Sequence, residues 1–121
     1  MKYLEKTTET LPREALELLQ IEKLSYMLEK IYGQNSFYTK KINVSGFNKN
    51  ELKTLADLKN FPLTSKTELM EAQLEAPPFG ENTTFEQGAY TRFHQTSGTT
   101  GTPLRVFDTP ESWEWWGNCW G

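Results

Sequence analysis

The sequence predicts an α/β protein, in which a mainly helical N-terminal segment leads into a strand–loop–strand unit. Three observations carry this. Apolar residues recur at helical spacing up to about Gln73, the pattern changes to alternation near Ala89, and a loop dense in Gly, Ser and Thr then joins two short runs of strand character. The expected organisation is a flexible N-terminus at 1–10, a mainly helical segment at 11–88 and the start of an α/β core at 89–121.

Residues 1–10 are polar and Thr-rich. Thr10 with Pro12 resembles a helix start, because proline in the first turn loses no needed hydrogen bond. Leu16, Leu19, Leu24, Met27, Leu28 and Ile31 then mark an apolar face and Gly33 supplies a stop, so the spacing predicts a helix over about 12–32. Ser36 to Ile42 reads as a short second helix, and Ser45-Gly46-Phe47-Asn48 as a turn. Leu52, Leu55 and Leu58 fall on another short helix, ended by Phe61-Pro62. Ser65-Lys66-Thr67-Glu68 is a capping box, in which hydroxyl and carboxylate satisfy each other's orphan amides; it opens a helix to about Gln73. Pro77-Pro78-Phe79-Gly80 breaks that pattern, and 80–88 reads as an exposed loop.

Tyr90 to Gln95 alternates as a strand does, with Tyr90 and Arg92 on one side and Phe93 on the other. Leu104 to Phe107 is a second short strand. Asp108 or Thr109 caps a final helix with Pro110 and Glu111 in its first turn. Trp113, Trp116 and Trp120 share one face of it and call for a large apolar partner. Two strands alone make a marginal sheet, so the chain is expected to be an incomplete piece of a longer one.

Totals narrow the function classes. Sixteen acids against thirteen bases give a net charge of -3 with no long run of either sign, which argues against nucleic-acid and polybasic membrane partners. Cys119 is the only cysteine, which rules out an intramolecular disulfide and favours a reducing compartment. With His94 as the lone histidine, a zinc site would need carboxylates to complete it, and no metal ligand is assigned. Without a long apolar run or a signal-like start, a cytoplasmic protein is expected.

The one dense chemical motif is Thr96-Ser97-Gly98-Thr99-Thr100-Gly101-Thr102-Pro103. Glycine permits positive φ and lets successive amides face one concavity, while hydroxyls add donors without bulk. That combination suits the oxygens of a triphosphate. A Walker A loop does not fit: Gly98 and Gly101 are three apart, no Lys follows, and a strand comes next. The dinucleotide fingerprint fails on the same grounds. By composition alone the stretch also reads as a flexible linker or a polar hairpin turn.

Gln95 to Pro103 resembles the phosphate-binding signature of the adenylate-forming (AMP-binding) superfamily. The run from Leu58 to Leu69 is similar to the segment upstream of that loop in phenylacetate-CoA ligase-like members, and Asn35 to Lys41 resembles the segment after their first long helix. The resemblance implies that ATP and a carboxylic acid form an acyl-adenylate and pyrophosphate, after which the thiol of CoA displaces AMP. Thr96, Ser97, Gly98, Thr99, Thr100 and Gly101 would then hold the ATP phosphates, with Mg²⁺ neutralising charge. A phenylacetate-like acid is the expected substrate, and the resemblance leaves a homodimer open. Two positions depart from the family pattern: Leu104 stands where many superfamily members have Lys, and Thr102 where phenylacetate-CoA ligase-like proteins often do. The ribose-binding Asp, the adenine-side aromatic motif and the catalytic Lys of the family have no counterpart here. Catalytic residues are thus unassigned, and the piece alone is expected to be inactive. An adenylating enzyme with another acceptor, and a non-catalytic phosphate-binding or interaction module, stay open as alternatives.

Other candidates have plainer roles. His94 is expected to be packed or hydrogen-bonded, and Arg92 and Arg105 to form surface ion pairs. The tryptophans, Trp115 included, read as core rather than as an aromatic acid pocket, and Cys119 as a small buried hydrophobe.

Overall fold

The computed structural model describes residues 3–98 and 101–120. A single helical turn, α1 (Lys6–Glu9), lies within the segment expected to be flexible, and the Glu9 carboxylate accepts the amides of Leu4 and Glu5. Helix α2 spans Arg13–Ile31, close to its expected bounds, with Pro12 at the N-cap. Gly33, at φ +84°, turns the chain out of it.

Helix α3 (Ser36–Ser45) starts at Asn35, whose side-chain oxygen accepts the Tyr38 amide at 3.0 Å. The same side chain donates to Asn82 and Thr84 at 3.0 and 3.1 Å, so one buried amide both caps a helix and ties down a distant loop. Gly46 ends α3 in the left-handed region at φ +71°. The short helix expected through Leu52 to Leu58 is instead two 3₁₀ turns, Lys49–Glu51 and Leu55–Asn60. The Asp57 carboxylate accepts the amides of Thr54 and Lys53 and the Thr54 hydroxyl, which splits the segment. Those bonds, the Thr54 amide foremost, hold its pKa below the usual value.

Helix α4 (Lys66–Glu75) opens on the expected capping box: Ser65 Oγ accepts the Glu68 amide at 3.2 Å, and Glu68 accepts the Ser65 amide at 2.7 Å. Glu68 also takes a charge-assisted hydrogen bond from Lys41 of α3. That bond first, and the Ser65 donors second, lower its pKa to about 2.

The core lies in this helical half. Leu28, Ile42 and Leu52 are buried together, with Ile21, Leu24, Ile31, Phe47, Leu58 and Phe61 around them. Phe47 and Phe61 meet edge to face at 5.1 Å. Met27 and Leu18 point out from α2, so its apolar face is narrower than the leucine spacing implies.

Strands β1 (Arg92–Gln95) and β2 (Arg105–Asp108) pair antiparallel, with Arg92 opposite Asp108, Phe93 opposite Phe107 and His94 opposite Val106. A 3₁₀ turn at Gln87–Ala89 interrupts the alternation before β1. Tyr90 therefore packs 6.0 Å from Phe107, the cross-strand partner of Phe93, rather than on the Arg92 side. Helix α5 (Pro110–Trp120) is capped by Thr109, whose hydroxyl accepts the Ser112 amide at 3.2 Å; Asp108 accepts the Ser112 hydroxyl instead. Cys119 is exposed, not buried as its apolar character implied, because nothing among the described residues covers the end of α5.

Candidate functional site

The loop between β1 and β2 is closed at its base by two hydrogen bonds. The Thr96 amide donates to Leu104 O at 3.0 Å, and the Leu104 amide donates to Thr96 Oγ1 at 3.1 Å. Thr96 thus spends an oxygen lone pair on fixing the hairpin, and among the described residues its O–H has no acceptor.

Inside that base the glycines are geometric necessities. Gly98 has φ +65°, and a Cβ there would lie 3.2 Å from both Gly101 O and Pro103 N. Gly101 has φ +116°, and its amide donates to Gly98 O at 2.8 Å. A side chain at Gly98 would sit in a strained left-handed conformation and press on backbone that must give by a few tenths of an ångström. Ser97 is exposed at the rim. Of the six expected phosphate-binding residues, Thr96, Ser97, Gly98 and Gly101 fall in this one tight turn; Thr99 and Thr100 lie outside the described residues.

Beside the loop, one face of the strand pair is covered by Trp113. His94 stacks on the indole at 5.0 Å between centroids, and its Nε2 is 3.3 Å from Asp108 Oδ2. Arg92 lies over the same indole at 4.8 Å. Histidine is therefore packed, as expected, but with a carboxylate partner that only the strand register reveals: Asp108 sits opposite Arg92 and diagonal to His94. The surface ion pairs expected of Arg92 and Arg105 are absent among the described residues, since Arg92 takes an aromatic partner and Arg105 donates to Pro78 O at 2.7 Å.

The other face carries an aromatic cluster that the sequence did not single out. Phe79, Phe85, Tyr90, Phe93 and Phe107 line a half-open cavity of about 420 Å³, with Phe79 and Phe107 4.9 Å apart. The Tyr90 hydroxyl accepts the amides of Thr84 and Phe85 at 2.8 and 3.0 Å, which anchors the loop that forms one wall. These residues come from three separate stretches, so no local pattern could have united them. The tryptophans of α5 form neither such a pocket nor the core expected of them among the described residues: Trp115, Trp116 and Trp120 are 60%, 55% and 77% exposed.

Comparison with known proteins bears on the family. A search of protein-family models finds no match. The chain is 36% identical over 98 residues to a phenylacetate-coenzyme A ligase from Thermus thermophilus, covering 81% of this chain and 21% of that protein. It is 30% identical over 110 residues to the phenylacetate-coenzyme A ligase of Escherichia coli, covering 91% and 24%. Its fold matches a solved 2-hydroxyisobutyryl-CoA ligase, bound to 2-HIB-AMP and CoA, with a TM-score of 0.79 and 30% identity, over 86% of this chain and 22% of that one. In sequence and fold the chain groups with the adenylate-forming ligases, and within them it is phenylacetate-CoA ligase-like. It spans less than a quarter of the length of the relatives it matches.

Proposed function

We propose that this chain is the N-terminal part of an ATP-dependent acid–CoA ligase, and that the 96–101 turn holds the phosphates of ATP while a carboxylic acid is adenylated. The tight turn imposed by Gly98 and Gly101, within a segment similar to ligases that act with CoA, is the observation that carries it. The physical logic is leaving-group activation. A carboxylate oxygen leaves poorly, whereas AMP leaves well, so adenylation prepares the acyl group for attack by the CoA thiol. The loop's part is positioning: amides and hydroxyls held in advance at the β- and γ-phosphates need no rearrangement as charge moves to pyrophosphate.

No group of three His, Cys, Asp or Glu able to hold a metal converges among the described residues. With Leu104 in place of a lysine, Mg²⁺ and groups outside this chain would supply the charge that neutralises the phosphates next to the loop. A phenylacetate-like acid fits the names of the relatives, and CoA is the acceptor they point to. The 121-residue chain by itself should not turn over; a cytoplasmic enzyme is the expected setting, with a homodimer left open.

The test begins with the protein as its source makes it. Its intact mass is measured, and ATP–pyrophosphate exchange is assayed with phenylacetate and with short hydroxy acids, followed by AMP release with and without CoA. Exchange that needs an acid, and thioester formation that needs CoA, would support the ligase. Exchange without thioester would favour another acceptor. No exchange with any acid would leave a non-catalytic phosphate-binding module.

A further inference from the structure

Among the described residues only two polar side chains are buried, Asn35 and Gln73. Asn35 caps a helix. Gln73, 4% exposed on α4, instead spends its whole amide on the exit of the loop. Its Nε2 donates to Pro103 O at 3.0 Å, and its Oε1 accepts the Arg105 amide at 2.8 Å.

That pair of bonds is the one a neighbouring strand would make to either side of Leu104, so the side chain stands in for an absent strand. The Leu104 amide and carbonyl turn the other way, to Thr96. The backbone at 103–105 is thus gripped from both edges: from Thr96 at the entrance of the loop and from Gln73 on a helix thirty residues earlier. The rest of the Gln73 side is braced as well. Gly80 passes so close that a Cβ would lie 3.0 Å from Gln73 Cα, and Arg105 donates to Pro78 O beside it.

We propose that Gln73 is the positioning residue of the phosphate loop. Resting on the ligase reading above, it fixes where Pro103 leaves the Gly98–Gly101 turn, and so sets the aim of the loop's amides at the ATP phosphates without touching them. A buried amide engaged in two backbone bonds is costly to leave half-satisfied, so loss of either bond should move the backbone it holds.

The experiment compares Gln73→Leu and Gln73→Glu with the wild-type protein in its native form. Glutamate keeps the acceptor for Arg105 but loses the donor to Pro103; leucine keeps the bulk and loses both. Readouts are ATP–pyrophosphate exchange, with KM for ATP and for the acid measured separately, thermal midpoint, and hydrogen exchange at the Arg105 amide. The expected result is a KM for ATP raised roughly tenfold or more in Gln73→Leu. A smaller rise is expected in Gln73→Glu, with KM for the acid unchanged in both and faster exchange at Arg105 only in the leucine variant. An unchanged KM for ATP in both variants would overturn the assignment, and so would a fall in thermal midpoint with kinetics per folded molecule intact, since that marks a purely structural clamp. Wild-type protein inactive with every acid overturns the ligase reading instead, and the positioning role with it.

Discussion

The helical half and the strand–loop half of this chain are stabilised by different means. Residues 13–75 gather Leu28, Ile42 and Leu52 into a shared interior and surround them with half-buried apolar groups. In residues 89–98 and 101–120 no residue is buried at all, and Phe93, Val106, Trp115, Trp116 and Trp120 face outward. The helical half is held by apolar burial, which is non-directional and tolerant of small shifts. The strand–loop half has aromatic contacts around Phe107 and Trp113 but no buried interior, and leans on directional bonds: Thr96 with Leu104, Gln73 with Pro103 and Arg105, and Thr109 with Ser112. The phosphate site proposed for the 96–101 turn would gain from the second arrangement, because amides aimed at a ligand need defined directions more than they need bulk packing.

The largest expected effect lies in the helical core. Leu28 is 1% exposed, and Leu28→Ala would leave a cavity beneath Ile42 and Leu52. Urea unfolding should show a loss of about 2–5 kcal/mol. A loss comparable to that of an exposed residue would mean that the two halves do not differ in kind.

A smaller effect concerns the link between α3 and α4. Glu68 has its pKa lowered to about 2 from an ordinary value of 4.5, chiefly by the bond from Lys41. The folded state therefore binds the proton less readily than the unfolded state does. The stability this supplies is complete above about pH 4.5 and drains away as pH falls toward about 2. Glu68→Gln should be less stable than wild type at neutral pH, and the gap should close across that window. Urea midpoints measured from pH 7 to pH 2 check this, and a constant gap would show that the carboxylate charge is not what joins the helices. Because the side chain is 42% exposed, the effect should be well below that of Leu28→Ala.

How much of this was legible in the sequence follows from the same division. Helices α2 and α4 could be read because their signals are local: Pro12 at one start, and Ser65 with Glu68 at the other. The loop could be read because both glycines are demanded by its own backbone, at φ +65° and +116°. What was missed is local in one place and elsewhere set by partners distant in the chain. Leu55 to Asn60 is a 3₁₀ turn opened by a local capping box, in which Asp57 takes three donors from Lys53 and Thr54. Tyr90 changed sides because of the 3₁₀ turn before it, and His94 acquired Asp108 through the register. Gln73 carries no local signature, since a glutamine near the end of a helix ordinarily faces water. The aromatic cavity unites residues from Phe79 to Phe107, which only the pairing of β1 with β2 brings together.

The smallest expected effect sharpens the comparison from the other side. Trp120 is 77% exposed at the end of α5, and its aromatic contact is Trp116 at 6.0 Å. An exposed pair of this kind contributes little, because both rings stay largely in water whether or not they meet. In the 121-residue chain, Trp120→Ser should therefore change stability by less than about 1 kcal/mol, even though it removes one of the largest side chains in the molecule. Urea unfolding beside Leu28→Ala gives the ratio directly. The fluorescence lost from Trp120 should be that of a water-exposed indole. A loss approaching that of Leu28→Ala, or a blue-shifted contribution from Trp120, would mean that the indole is covered in the native protein. The strand–loop half would then owe its stability to apolar packing as well, and the directional bonds around the loop would be aiming it rather than holding the unit together.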